Sequence, residues 1–165
     1  MSQGEIEYLD EKRFLLHNNT EKAYHHEIER LAMQGMTGAN DKIRLVMTIV
    51  PRGVYLANSC NYIIPTAKLP AEYLLGLMNS RLMNWYFRCF STNSNVNGYE
   101  VENFPMPIDN PAIKSGIIEL VNSILHQKEH DISADTSTLE HQLDRLVYQL
   151  YNLTPEEIAI IEQNN

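Results

Sequence analysis

A change in hydrophobic spacing near Pro70 is the feature that most constrains the fold of this chain. Before Pro70, short runs rich in β-branched and aromatic residues are separated by turn residues, as in RLAMQGMTG, IRLVMTIV and CNYIIP. After it, apolar residues recur every three or four positions, beginning with AEYLLGLMNSRLMNWYFRCF. The first pattern favours strands and the second favours helices. The sequence therefore predicts an α+β fold.

The strand-forming runs predict a small, mostly antiparallel sheet with helices packed against it. RLAMQGMTG is expected to form a strand that leads into a turn. PRG lies between IRLVMTIV and VYLAN and suits a chain reversal, so we predict a hairpin over residues 43–58. CNYIIP supplies the next strand. Upstream, NTEKAYHHEIERL is expected to form a short helix capped by Asn19 or Thr20.

Helix-capping signals predict the arrangement after Pro70. The first helix is expected to run for about twenty residues, with Pro70 in its first turn. Asn110 caps the next helix, with Pro111 in its first turn. STLE at residues 137–140 and TPEE at residues 154–157 have the capping-box pattern that opens a helix. We therefore expect an antiparallel helical pair, joined by a mobile KEHDISADT loop and followed by a short terminal helix.

These patterns divide the chain into an α+β lobe at residues 1–108 and a C-terminal helical segment at residues 109–165. No apolar run approaches the roughly 20 residues that cross a bilayer. The N-terminal residues also lack the basic start and apolar core of a signal peptide. We therefore expect a cytoplasmic protein with no membrane partner.

The net charge of −8 is unevenly distributed. Residues 100–165 contain twelve acidic and three basic residues, whereas residues 1–99 contain nine acidic and ten basic ones. Segment 36–99 has only Asp41 and Glu72 as acidic residues. Its basic residues are Lys42, Arg44, Arg52, Lys68, Arg81 and Arg88. A segment opposite in sign to its flank is a candidate contact for a polyanion, although an overall pI near 5.2 argues against a free-standing nucleic-acid domain.

No pattern for catalysis or metal binding is found in the sequence. It contains no nucleophile elbow, P-loop, dinucleotide-binding glycine turn or zinc-protease helix. Cys60 and Cys89 lie far apart, and the adjacent His25 and His26 would point about 100° apart on a helix surface exposed to solvent. DEK at residues 10–12 is interpreted as an exposed acidic turn. We therefore expect no metal, no cofactor and no enzymatic activity in this chain.

The stretch LMNSRLMNWYFRCFSTNSNVNGYE, residues 77–100, contains no carboxylate before Glu100. Arg81, Asn84 and Arg88 would share one stripe of the predicted helix, and the polar loop 91–97 follows it. Amide side chains pair well with adenine and arginine with guanine, while serine and threonine bond either bases or phosphates. A carboxylate here would repel phosphate, so the stretch is a candidate DNA contact surface. The aromatic residues of the helix are expected to belong to the core; they are Trp85, Tyr86, Phe87 and Phe90.

The segment LPAEYLLGLMNSRLMNWYFRCFSTNSNVNGYEVENFPMPI resembles the TaqI-like C-terminal specificity domain of bacterial restriction–modification enzymes. RLVMTIVPRGVYLANSCNYIIP is similar to the hairpin that precedes it, and LEHQLDRLVYQLYNLTPEEIAIIE to its ending, so the resemblance spans roughly residues 30–163. It implies a target recognition domain that reads a short double-stranded DNA sequence for an adenine methyltransferase, with or without a fused endonuclease. The catalytic domain of that family carries an Asn-Pro-Pro-Tyr or Asp-Pro-Pro-Tyr motif, and this chain has neither.

The resemblance also implies the partners and the contact residues. S-adenosylmethionine is expected only in the catalytic domain, and the expected partners are duplex DNA and a methyltransferase or endonuclease domain or subunit. The alternative left open is a protein-interaction module that pairs through its helices without contacting DNA. The candidate DNA contacts are Gln34, Thr37, Arg44, Arg52, Asn58, Arg81, Asn84, Arg88, Ser91, Thr92, Asn93, Ser94, Asn95 and Asn97.

Overall fold

Three β-strands form one antiparallel sheet. The structure is a computed structural model that describes residues 10–164 except Asn19 and Asn58. The strands are β1 (Arg30–Gln34), β2 (Met47–Val50) and β3 (Cys60–Ile63), and β1 lies between the other two. The predicted α+β class is confirmed, as are the strands expected in RLAMQGMTG and CNYIIP.

Helices lie before and after the sheet in the chain, and the helix Ala71–Met78 packs against β1 and β2. The first lies before the sheet and is followed by a 3₁₀ helix, Glu21–Glu27. None of the helices in the described residues is long and apolar enough to cross a membrane. The α-helices are α1 (Glu11–His17), α2 (Ala71–Met78), α3 (Arg81–Phe90), α4 (Gly98–Glu102), α5 (Pro111–His130), α6 (Ser137–Leu150) and α7 (Pro155–Gln163).

The hairpin predicted over residues 43–58 is wrong. A turn does follow β2, with Gly53 at a φ of 85°, but residues 54–57 form no strand. β1 instead pairs with both β2 and β3. Arg30, buried at the start of β1, donates a hydrogen bond to the carbonyl of Val54 and ties the chain after the turn to the sheet by a side chain. Turn chemistry predicted the reversal, but it did not predict which strand would pair with β2.

The helix predicted to run for about twenty residues is two helices, because Asn79 and Ser80 interrupt it. The Ser80 hydroxyl accepts a hydrogen bond from Met83 N at 3.3 Å and so caps α3. The Asn79 amide turns to the sheet, where its Oδ1 accepts from Met47 N and its Nδ2 donates to Met47 O, both at 2.9 Å. Asparagine and serine compete with helical hydrogen bonds in this way. The interruption therefore also covers the outer edge of β2.

The capping signals of the C-terminal segment are correct in two places and wrong in one. Asn110 accepts from Ile113 N at 3.3 Å, and Thr154 forms the predicted capping box with Glu157. The box predicted for residues 137–140 is wrong, because Thr136 is the N-cap residue of α6 and Ser137 lies inside the helix. The Thr136 hydroxyl donates to Glu140 Oε1 at 2.6 Å. The connecting loop is also shorter than predicted, since α5 continues to His130.

The N-terminal part of the chain departs further from its prediction. Asp10 caps α1 by accepting from Arg13 N at 3.1 Å, so DEK opens a helix rather than forming a turn. His26, predicted to be solvated, is buried, and its ring stacks on Tyr55 with centroids 4.2 Å apart. Tyr55 comes from the segment after β2, so its contact with the 3₁₀ helix is a tertiary one that sequence spacing does not show.

One hydrophobic core joins the sheet, α2, α3 and the C-terminal helices. Leu31 of β1, Leu77 of α2 and Val147 of α6 belong to the same buried cluster. At Gly76 of α2, a Cβ atom would lie 2.7 Å from Ile117 Cγ2, so a glycine is needed for α2 and α5 to pack this closely. The boundary between residues 108 and 109 stays a prediction, and the core packs across it.

Candidate nucleic-acid interface

A fully buried arginine, Arg44, holds the polar loop 91–97 in place. Its guanidinium donates to Ser91 O at 2.9 Å, to Asn93 O at 2.5 Å and to Thr37 Oγ1 at 3.3 Å. It also lies over the Phe87 ring, 4.9 Å from the centroid. In the part of the chain that the structure describes, no carboxylate pairs with Arg44. A positive charge is therefore satisfied by neutral oxygens directly beneath the loop.

Burial separates several predicted DNA contacts from the surface. Arg44 is 0% exposed and Asn84 is 6% exposed, while Thr37 and Ser91 are also buried. Asn84 Oδ1 accepts from Arg44 N at 2.7 Å and from Leu45 N at 3.3 Å. None of these four side chains can reach a base edge without rearrangement. The Ser91 hydroxyl is buried and makes no hydrogen bond within the described residues, so the loop is held there through the Ser91 carbonyl. We therefore assign a positioning role to Arg44, Asn84 and Thr37.

The loop runs alongside the turn that follows β1. Thr37 N donates to Ser94 O at 2.9 Å and Val96 N donates to Gly35 O at 3.1 Å, which pairs Met36 with Asn95 in an isolated antiparallel bridge. Val96 is buried and anchors this part of the loop in the core. Backbone hydrogen bonds on one side and the Arg44 guanidinium on the other therefore fix the loop conformation.

The side chains that this arrangement leaves exposed form one neutral patch, which we call the loop–turn patch. Gln34 Nε2 is held by the carbonyl of Met36 at 2.8 Å, and Asn93 Oδ1 accepts from Asn95 N at 2.9 Å. Within the described residues, the side chains of Thr92, Ser94 and Asn95 make no hydrogen bond, so they are available to a ligand. The exposed residues of the loop–turn patch are Gln34, Met36, Thr92, Asn93, Ser94 and Asn95.

Asn97 lies at the end of the loop and has a different function from the rest. Its backbone N–H donates to Glu100 Oε2 at 2.9 Å and its Nδ2 donates to the same oxygen at 3.0 Å. Asn97 therefore precedes α4 as its N-cap residue, and this helix was not predicted from the sequence. Glu100, the carboxylate that ends the carboxylate-free stretch, is buried at this helix start rather than directed to the surface.

The arginines of α3 bond to the C-terminal segment. Arg81 Nε lies 3.2 Å from Asp144 Oδ2, and Arg81 N donates to Asp144 Oδ1 at 2.9 Å. Arg88 Nη1 donates to the carbonyl of Asn164 at 2.6 Å. The Arg81 side chain keeps 40% of its exposure, so contact with a phosphate stays a prediction for both arginines. Their structural partners nevertheless show that the two arginines face α6 and the end of α7, whereas Asn84 between them faces the chain before β2.

One further candidate, Arg52, lies away from the loop–turn patch. Arg52 is in the turn after β2, and β2 ends at Val50, which pairs with the first residue of β1. Gln34 is the last residue of β1, so Arg52 and the loop–turn patch are at opposite ends of the sheet. Asn58 lies outside the described residues.

Asp144 is a buried carboxylate that the sequence analysis did not identify. Burial raises the pKa of its carboxyl, and the hydrogen bond from Arg81 N and the Arg81 charge oppose that rise without cancelling it. Since Asp144 of α6 bonds the first N–H of α3, it acts as a helix cap supplied by another helix. A possible signal in the sequence was its position on the apolar stripe of α6, between Leu143 and Val147.

The described part of the chain offers no candidate metal site but has an apolar groove. Within the described ranges, no group of three or more histidine, cysteine, aspartate or glutamate side chains could hold a metal ion. A groove of roughly 720 Å³ lies between the chain at residues 42–48 and helices α5 and α6. Ile43, Val46 and Leu125 line this groove and are exposed.

Comparison with known families identifies one family over most of the α+β lobe. The sequence profile of the TaqI-like C-terminal specificity domain matches residues 4–106. No curated protein matches the chain. The match begins earlier than the predicted resemblance and ends before α5, so it does not support the similarity expected for the closing helices. Because it covers more than half of the sequence, the chain belongs to the TaqI-like C-terminal specificity domain family.

Proposed function

We propose that this chain is the DNA-recognition part of a restriction–modification enzyme and that it reads duplex DNA through the loop–turn patch. Membership of a specificity-domain family supports the recognition role. The observation that supports the site is an exposed set of neutral polar side chains on a loop that buried Arg44 fixes from beneath. Side chains on a preorganised backbone lose less conformational entropy on binding, so they discriminate better between bases.

The catalytic chemistry in this proposal comes from a separate methyltransferase or endonuclease domain or subunit that modifies adenine. No Asn-Pro-Pro-Tyr or Asp-Pro-Pro-Tyr sequence occurs in the 165 residues, which supports assigning catalysis to another domain or subunit. S-adenosylmethionine would bind to that catalytic part and not to this chain. Since the substrate is bacterial DNA, the proposed location is the cytoplasm.

The charge distribution suits a DNA-recognition domain that relies on a methyltransferase or endonuclease partner for most phosphate contacts. The loop–turn patch carries no charged side chain, and the carboxylate excess is concentrated after Tyr99. Arg44 adds an unneutralised positive charge beneath the loop, where the low dielectric strengthens its field. Sequence discrimination can therefore be local to the patch, while the affinity of the isolated chain for DNA remains low because it makes few phosphate contacts of its own.

The direct test measures binding of the chain to a pool of mixed duplexes at low salt by fluorescence anisotropy. The variant Thr92→Ala/Ser94→Ala/Asn95→Ala should lose preference among duplexes. A matched control, Thr138→Ala/Gln142→Ala, removes exposed polar side chains of α6 and should retain that preference. If wild type and the patch variant show the same ranking of duplexes, the loop–turn patch does not read DNA.

A second candidate function, a protein-interaction module without DNA contact, is supported by the groove beside β2. Its exposed apolar side chains are suited to docking a methyltransferase domain or subunit. Val46→Glu should weaken that association, whereas Thr48→Ser, a conservative change in the same groove, should not. Association that depends on Val46, together with no binding to any duplex, would favour this function over DNA recognition.

A further inference from the structure

Met36 and Asn95 face each other within the loop–turn patch. The hydrogen bonds that flank them run from Thr37 N to Ser94 O and from Val96 N to Gly35 O, so the bridge is of the non-hydrogen-bonded type. In this type of pair the Cα atoms lie about 4.5 Å apart and both side chains project from the same face. An apolar thioether and a carboxamide are therefore presented side by side.

Neither side chain is used by the fold. Met36 is 65% exposed, and the Asn95 side chain makes no hydrogen bond within the part of the chain that is described. The one carboxylate in the adjoining turn, Asp41, is occupied because its Oδ2 accepts from Gly38 N at 2.8 Å. The pair thus offers one amide and one apolar group with no charge of its own.

The backbone beneath the pair is closely packed on both sides. At Gly35, a Cβ atom would lie 2.2 Å from the carbonyl oxygen of Ser59, so only glycine permits this approach. On the other side, Asn61 Nδ2 donates to Val96 O at 2.9 Å. The positions of Met36 and Asn95 are therefore set before any ligand arrives.

Resting on the proposed function, we propose that Met36 and Asn95 together read an A·T base pair in the major groove. An asparagine amide bonds adenine at N6 and N7, and an apolar side chain contacts the C5-methyl group of thymine. Guanine is bonded most often by arginine or lysine, and the loop–turn patch has neither. An amide beside an apolar group therefore matches A·T better than G·C.

The experiment starts with selection of duplexes from a pool with a randomised centre, using the full chain at low salt. The selected site should contain a constant A·T pair at one position. Replacing its thymine with deoxyuridine removes only the methyl group and should weaken wild-type binding about fourfold, the effect of one buried carbon. Replacing its adenine with 7-deazaadenine removes N7 and should weaken binding by about tenfold.

Variants of Met36 and Asn95 test which side chain is responsible for the deoxyuridine effect and which for the 7-deazaadenine effect. Met36→Ala should bind the thymine and deoxyuridine duplexes equally, and Asn95→Ala should bind the adenine and 7-deazaadenine duplexes equally. The control Met106→Ala removes an exposed methionine outside the patch and should keep both wild-type ratios. If both variants also keep the wild-type ratios, the inference is wrong while the proposed function stands. If wild type enriches no sequence from the pool, the proposed function fails and this inference fails with it.

Discussion

Arg44 and Arg81 both attach one part of the molecule to another, but their partners are opposite in kind. Arg44 is buried and bonds neutral oxygens of the loop at residues 91–97. Arg81 is partly exposed and bonds the carboxylate of Asp144, which attaches α3 to the C-terminal helices. The comparison shows that positive charge is neutralised where helices are joined and left unneutralised beneath the loop–turn patch.

The same contrast explains why the loop at residues 91–97 contains no carboxylate. A carboxylate in the loop at residues 91–97 would pair with Arg44 and compete with the carbonyls that now fix its shape. Glu100, the first acidic residue after that stretch, is directed inward to the start of α4. The acidic excess of the C-terminal segment then lies on helices that the loop–turn patch does not include.

The largest effect is expected at Arg44. Arg44→Met leaves the buried carbonyl of Ser91 and the partly buried carbonyl of Asn93 without donors, and it should lower the free energy of unfolding by about 3 kcal/mol. Arg44→Lys keeps the charge but cannot make all three hydrogen bonds, so it should lower the free energy of unfolding by less than Arg44→Met does. Urea denaturation gives both values, and a loss below about 1 kcal/mol for Arg44→Met would show that other contacts hold the loop.

A smaller effect is expected at Asp144, where one substitution removes the cap and another keeps it. Asp144→Ala removes the acceptor of Arg81 N and should cost about 2 kcal/mol. Asp144→Asn keeps an oxygen at that position and loses only the ion pair with a partly exposed arginine, so it should cost less than about 1 kcal/mol. Equal losses in the two variants would mean that the ion pair, and not the cap, joins α3 to α6.

The smallest effect is the pH dependence of stability that Asp144 contributes. Burial raises the pKa of the Asp144 carboxyl above its ordinary value of 3.8, so the folded state holds this proton more tightly than the unfolded chain does. The contribution of Asp144 to stability is therefore largest below that ordinary value and is lost as pH rises through the raised folded-state pKa. Asp144→Asn cannot titrate, so its stability relative to wild type should improve over that pH range in urea denaturation. A relative stability that falls instead would mean that Arg81 lowers the pKa more than burial raises it.

Local signals predicted much of the fold because they act over a few residues. The cap at Asn110 and the capping box at Thr154 each join positions three residues apart, and both were correct. The strand at RLAMQ was predictable from its composition, but its pairing was not, because turn chemistry does not select the neighbouring strand. Among candidate contacts, the polar loop was predicted over residues 91–97, and residues 92–95 of it are exposed, whereas Ser91 and Val96 are buried. Met36 was missed because an exposed methionine has no polar signal.

The sequence by itself determined the class of this protein, the starts of α5 and α7, the polar loop and its family. Only the tertiary structure decided that Arg44 is buried, since its partners Ser91 and Asn93 lie 47 and 49 residues away in the chain. Tertiary contacts also decided that Arg81 faces Asp144, which is 63 residues away. An arginine has the same local pattern whether it meets a carbonyl, a carboxylate or a phosphate. Its partner depends on which segments the hydrophobic core brings together.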